Sequence, residues 1–237
     1  MLRIRIIGLT LVSALFMSVT AAGSASAETV LHDQWLLYHS QSGIHLLLAL
    51  PIRVHSLGLI LLEDHGPGAG VRIHCHGYNA GTVGPHGLDL VESITLELLG
   101  THNLILCLYD KVPAFTCNEN DMPDVEAINL PWHTQLVLRS GLLLDLILGH
   151  GNGRPGYRVT CINVIGGTTV DTCEEEAGKP AATVMRNELN GVLGEFNTEV
   201  SPPAKCSVGG EKAGLVRGTT LTENPSPTLL LLISPLD

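Results

Sequence analysis

Residues 156–174, GYRVTCINVIGGTTVDTCE, constrain the fold of this chain more than any other stretch. Tyr157, Val159 and Cys161 alternate with Arg158, Thr160 and Ile162, the period-2 pattern of a strand with two different faces. Val, Ile and Thr are dense on both sides of Gly166-Gly167, and branched side chains of this kind favour a pleated backbone. The stretch therefore predicts a β-hairpin. A two-residue Gly-Gly loop would turn the two cysteines to opposite faces. A three-residue loop, Gly166-Gly167-Thr168, sets Ile165 opposite Thr169 and Cys161 opposite Cys173. Directly opposed Cβ atoms come close to disulfide reach, so the three-residue loop and a Cys161–Cys173 bridge are expected.

The same argument applies to Cys107 and Cys117, which are symmetric about Val112. Asp110, Lys111 and Pro113 suit a turn between them, and Pro113 lacks the donor that a central strand position needs. A Cys107–Cys117 bridge is the second expectation. Cys75 and Cys206 then remain as a long-range pair, by elimination.

Paired cysteines suit the start of the chain. Arg3 and Arg5 precede an apolar run over residues 6–19, and Ala25-Ser26-Ala27 supplies small residues for cleavage. Residues 1–27 therefore read as a signal peptide, with residues 28–237 as the exported β domain. The apolar run is short for a membrane span, so no stable span is expected after cleavage. Export to an oxidising compartment makes disulfides the default for cysteine and makes cytosolic metal or redox roles a poor fit.

The formal net charge is −10, from 13 basic and 23 acidic residues, and loss of Arg3 and Arg5 makes the mature chain more acidic still. That balance argues against nucleic acid and anionic lipid as partners. Along the mature chain, apolar runs are short and broken by glycine, proline and polar turns. Gln41-Ser42-Gly43, Leu50-Pro51 and Ser56-Leu57-Gly58 interrupt residues 35–64, residues 77–87 are loop-like, and residues 142–148 read LLLDLIL. Asp145, in the middle of that last run, should face solvent or find a partner. The expected fold is all-β: a sandwich or irregular two-sheet assembly of short antiparallel strands stapled by disulfides. Residues 149–156, with four glycines and a proline, mark a possible subdivision.

Several short motifs are similar to those of uncharacterised secreted proteins of high-GC Gram-positive bacteria. They are Gly81-Thr82-Val83-Gly84-Pro85, Ile128-Asn129-Leu130-Pro131-Trp132-His133-Thr134, Gly191-Val192-Leu193-Gly194 and Cys206-Ser207-Val208-Gly209-Gly210. The resemblance implies an exported, cysteine-containing, β-rich protein and no particular activity.

Catalytic and metal signatures are weak. On a strand, His74 and His76 share one face and Cys75 takes the other, so they need help from His86 or His102 to bind a metal. Val54-His55-Ser56-Leu57-Gly58 lacks the first glycine of a nucleophile elbow. A dispersed hydrolase site would have to bring His55, His102 or His133 to a serine or carboxylate.

Carboxylate pairs for glycosidic chemistry could come from Asp89, Glu92, Glu97, Asp121, Asp124 and Glu126, but aromatic residues are only 4% of the chain, which argues against a sugar-stacking groove. Trp132 reads as a core anchor with its indole N–H satisfied nearby. Residues 118–124 and 174–176 lack calcium-loop spacing, and residues 149–156 lack the ending of a phosphate loop. No cofactor or metal is expected. The reading is an exported, non-enzymatic protein with a binding or structural role toward an unknown extracellular or envelope ligand, and a secreted hydrolase with a dispersed site is the alternative.

Overall fold

The computed structural model describes residues 34–39, 42–66, 71–96, 107–111, 123–163, 165–226 and 228–233. The expected signal peptide lies outside them, as do Cys117, His102, Glu97 and Asp121. The described residues belong to one compact unit, residues 33–237.

The protein is all-β. Its strands are β1 (Trp35–His39), β2 (Ile44–Leu47), β3 (Ile52–Asp64), β4 (Val71–Val83), β5 (Leu88–Leu96), β6 (Cys107–Lys111), β7 (Asp124–Ile128) and β8 (Trp132–Arg139). They continue as β9 (Leu142–Leu148), β10 (Gly156–Ile162), β11 (Thr168–Glu174), β12 (Ala181–Glu188), β13 (Gly191–Phe196), β14 (Ala204–Cys206), β15 (Gly210–Glu223) and β16 (Leu229–Ile233). Eight of them close on themselves in the order β3-β4-β5-β8-β9-β12-β13-β15, with β15 returning to β3. Every pairing in the ring is antiparallel. Closure removes the unpaired edges that an open sheet would present.

Three strands exceed the expectation of short elements. β3, β4 and β15 run for 13, 13 and 14 residues. One half of each belongs to the barrel. The other half carries a second layer, in which β15 leads to β14, β11, β10 and β7 while β4 also pairs with β6. Ser56-Leu57-Gly58 and most of residues 77–87 therefore lie inside strands, not in loops. Glycine misleads here because it has a packing role. A Cβ at Gly58 would collide with the backbone of Thr219 and Thr220 on β15, and a Cβ at Gly81 would collide with the Leu90 carbonyl on β5. Close approach of neighbouring strands is a known use of strand glycine.

Two cores follow from this arrangement. Ile73, Val125, Tyr157, Val159 and the half-cystines Cys75, Cys107, Cys173 and Cys206 form one, in the second layer. Val54, Val83, Leu136, Met185 and Val192 form the other, with Trp35, Leu37, Leu231 and Ile233 from a separate three-stranded sheet ordered β16-β1-β2. Trp35 and Leu37 pair with Ile233 and Leu231, so these four share a face and pack together against the inward side chains at one end of the barrel. Asn187 on β12 fixes the edge of this plug. Its amide donates to the Ile233 carbonyl at 2.9 Å and accepts from the Ile233 N–H at 2.7 Å.

The disulfide scheme differs from the expected one. The bridges are Cys75–Cys107 and Cys173–Cys206. This replaces the Cys107–Cys117, Cys161–Cys173 and Cys75–Cys206 scheme, although Cys161 is also disulfide-bonded. The governing rule survives, because each of the two bridges joins directly opposed residues on antiparallel strands. The partner strands were misassigned, and the hairpin register explains why. Cys161 opposes Thr169, and Tyr157 opposes Cys173. The loop is longer than three residues because Asn163 organises it: its Oδ1 accepts from Gly167 N at 2.8 Å and Ile165 N at 3.2 Å. Gly166 supplies the left-handed conformation, with φ of 84°.

Candidate functional site

Alternation along the eight barrel strands decides which side chains point inward. The row Gly194, Thr220, Gly58, Gly77 runs in register across β13, β15, β3 and β4. None of these residues is large; beside Gly58 and Gly194 the neighbouring Thr219-Thr220 backbone and the Met185 and Thr220 side chains take up the room, while Gly77 and Thr220 border open space. Eight-stranded barrels have an interior just wide enough to be filled by side chains or to hold one small ligand. Here the interior retains a cavity of about 190 Å³ that runs from Trp35 at the plug to Tyr157 and Cys173 in the second core.

The lining is mainly apolar, with a few polar groups set into it. Both tryptophans, Tyr157 and one of the three phenylalanines line it, while Tyr78 turns its ring outward to His55. The sparse aromatic residues are thus concentrated in one place. Trp132 donates its indole N–H to the Ile128 carbonyl at 2.8 Å, so its donor is satisfied nearby as expected, but it is half-buried, belongs to neither core and forms part of the cavity wall instead.

The polar focus is a pair of carboxyl groups. Asp89 on β5 pairs with Thr134 on β8, and Asp145 on β9 pairs with Leu136 on β8, so both aspartates project inward from adjoining strands. Asp89 is buried and well supplied with donors. Trp35 Nε1 donates to its Oδ2 at 2.6 Å, Gly84 N to its Oδ1 at 3.1 Å, and the Thr134 hydroxyl to its Oδ2 at 3.5 Å.

Asp145 is supplied less well. It is served by the Thr134 hydroxyl and the Gln135 N–H, and its buried Oδ1 has no hydrogen-bond partner. Its overall exposure is intermediate, which fits a side chain on a cavity wall. Burial raises the pKa of Asp145 to about 7. Burial raises that of Asp89 as well, and the neighbouring Asp145 charge adds to the effect. Glu175, also in the lining, is pushed up to about 8 by burial despite the Ala181 N–H that donates to its Oε1 at 2.9 Å.

The other sequence candidates lie apart. His55 stands 3.7 Å from Glu223 and stacks on Tyr78, with ring centroids 5.9 Å apart. His133 meets His150 at 2.8 Å on the exterior. Cys75 is fully buried in its disulfide while His76 is exposed, as alternation required. Glu92 pairs with Arg53 at 3.0 Å, and Glu126 pairs with Arg158 at 2.6 Å. Glu176 pairs with Lys179 and Glu174 accepts from Asn129, so residues 174–176 do not converge on a cation position.

A second buried pair, Asp64 and Asp171, lies beside the Cys173–Cys206 bridge. Gly66 N donates to Asp64, and Ser207 Oγ and Val208 N donate to Asp171. Burial raises Asp64 to about 6. Both cysteines there are committed to the bridge.

Of the residues proposed from sequence, Asp89 alone belongs to the carboxyl pair. Asp145 was conspicuous only as a charge in an apolar run, and sequence could not show that its partner would be another acid. The structure therefore defines a closed antiparallel barrel with an internal, acid-bearing cavity. Comparison with known proteins gave no match: no protein-family model, no curated protein and no solved structure matches this chain.

Proposed function

We propose that this protein is an exported binding protein that holds one small, largely apolar molecule inside its eight-stranded barrel. The cavity carries the reading. It is about 190 Å³, it is lined by both tryptophans, Tyr157 and Phe196, and polar groups reach it at a few defined points. Mainly apolar walls with a few placed polar groups are the usual composition of small-molecule sites. An engineered apolar cavity of roughly 150 Å³ is enough to take benzene, so a ligand of one ring with a short substituent fits the space.

Export to the cell envelope or medium is supported by the leader-like pattern of residues 1–27 and by the disulfides. Among the described residues, no helix is long and apolar enough to cross a membrane. The contacts of His55 and His133, with Glu223, Tyr78 and His150, favour binding over hydrolysis.

The test compares protein purified from culture medium with a Thr220→Phe variant that fills the cavity. Organic extraction and mass spectrometry of the wild type should yield a small molecule in near-stoichiometric amount, absent from the variant. The same extract from both proteins would contradict the reading.

A further inference from the structure

The lining has a charge bias that an apolar ligand alone does not account for. Asp89, Asp145 and Glu175 all contribute to it, whereas the Glu126 carboxyl turns away to Arg158, and no described lining residue is Lys, Arg or His. The described residues therefore supply three acids to the cavity and no cationic partner for them.

The two central acids are not equivalent. Asp89 already accepts from Trp35, Gly84 and Thr134. Asp145 Oδ1 is buried without a donor. A buried acceptor left unmatched costs on the order of 1–3 kcal/mol, and an ionised one costs more. The groups facing Asp145 offer no relief. β5 contributes Asp89, β8 contributes Thr134, whose one hydroxyl proton serves two acids, and β12 contributes Thr183, which is directed to Met185 Sδ at 3.2 Å. Glu175, from beyond the end of β11, is a further acid. Among the described residues none supplies the missing donor, which leaves that place to a bound molecule. Aromatic faces in the same cavity add to the attraction for a cation.

We propose that the ligand is a small apolar amine, one ring or a short branched chain bearing a single ammonium group, whose N–H is donated to Asp145 Oδ1. This identification of the ligand class rests on the small-molecule reading of the cavity. Without ligand, a proton shared by the Asp89–Asp145 pair leaves the site with a single negative charge. When the ammonium binds, that proton leaves to solvent and the carboxylate pairs with the cation, so charge is conserved inside the barrel.

Calorimetric titration with benzylamine and with toluene, its near-isostere without the amine, tests the assignment. On the mature wild-type protein near pH 8, benzylamine should bind about tenfold or more tighter than toluene, as a hydrogen bond to a charged group would give. Asp145→Asn should abolish that preference. Toluene binding as tightly as benzylamine would overturn the amine assignment and leave the small-molecule reading standing. Failure of both probes to bind would overturn both.

A second measurement needs no variant. Benzylamine binding to the wild type near pH 6, in two buffers of different ionisation enthalpy, should release about one proton per molecule bound, and toluene should release none. Absence of proton release with benzylamine would also overturn the assignment.

Discussion

Asp145 concentrates the physical tension of this protein in one side chain. Burial raises its pKa from 3.8 to about 7, so the folded state holds its proton where the unfolded chain has lost it. The contribution to stability is fully present below about pH 4 and is lost as pH rises toward 7. Asp145→Asn keeps the shape of the side chain, cannot ionise, and adds an N–H that can serve Asp89. The ligand-free variant should therefore be more stable than the wild type near pH 8, by on the order of 1–3 kcal/mol. Its melting temperature should decline less between pH 4 and pH 7. Thermal melts across that range check this, and an identical decline in both proteins would remove Asp145 from the account. Sequence marked Asp145 as anomalous because a charge sat in the run LLLDLIL. The partner was not legible, because Asp89 lies 56 positions earlier and the two meet only through β8, which pairs with β5 on one side and β9 on the other.

At the scale of elements, alternation was legible, and loop length and long-range pairing were not. The segment 156–174 does form the expected hairpin, and Cys161 and Cys173 do share a face. Asn163, however, sets a longer loop that moves their register apart. Cys173 then meets Cys206 on β14, a strand of three residues. Glycines read as breaks in residues 35–64 and 77–87 instead allow β3, β4 and β15 to approach closely, and these long strands join the two cores. The second layer is short-stranded and stapled, so its bridge should matter locally. Replacing both Cys173 and Cys206 by alanine should cost about 2–4 kcal/mol. Hydrogen exchange should rise first in β10, β11 and β14, before β12 and β13 respond. Uniform loss of protection across both sets would show that the two layers do not open separately.

For the whole molecule, the chief consequence of the fold is that closure creates an interior, and that interior is only partly filled by the chain. Large side chains from the plug fill one end, while a cavity bordered by Gly77 and Thr220 remains beyond them. The chain, though poor in aromatic residues, places both tryptophans on this cavity. Their indole N–H groups have different partners: Trp35 donates to Asp89, and Trp132 to the Ile128 carbonyl. They therefore give two separate NMR reporters of one space. The central claim, that the barrel interior takes up a small apolar molecule, is tested most directly by following the two indole resonances as toluene is added to the ligand-free protein. Saturable shifts of both in the wild type, and no shift of either in Thr220→Phe, are the predicted result. Resonances that stay in place in the wild type, or that move equally in the filled variant, would contradict it.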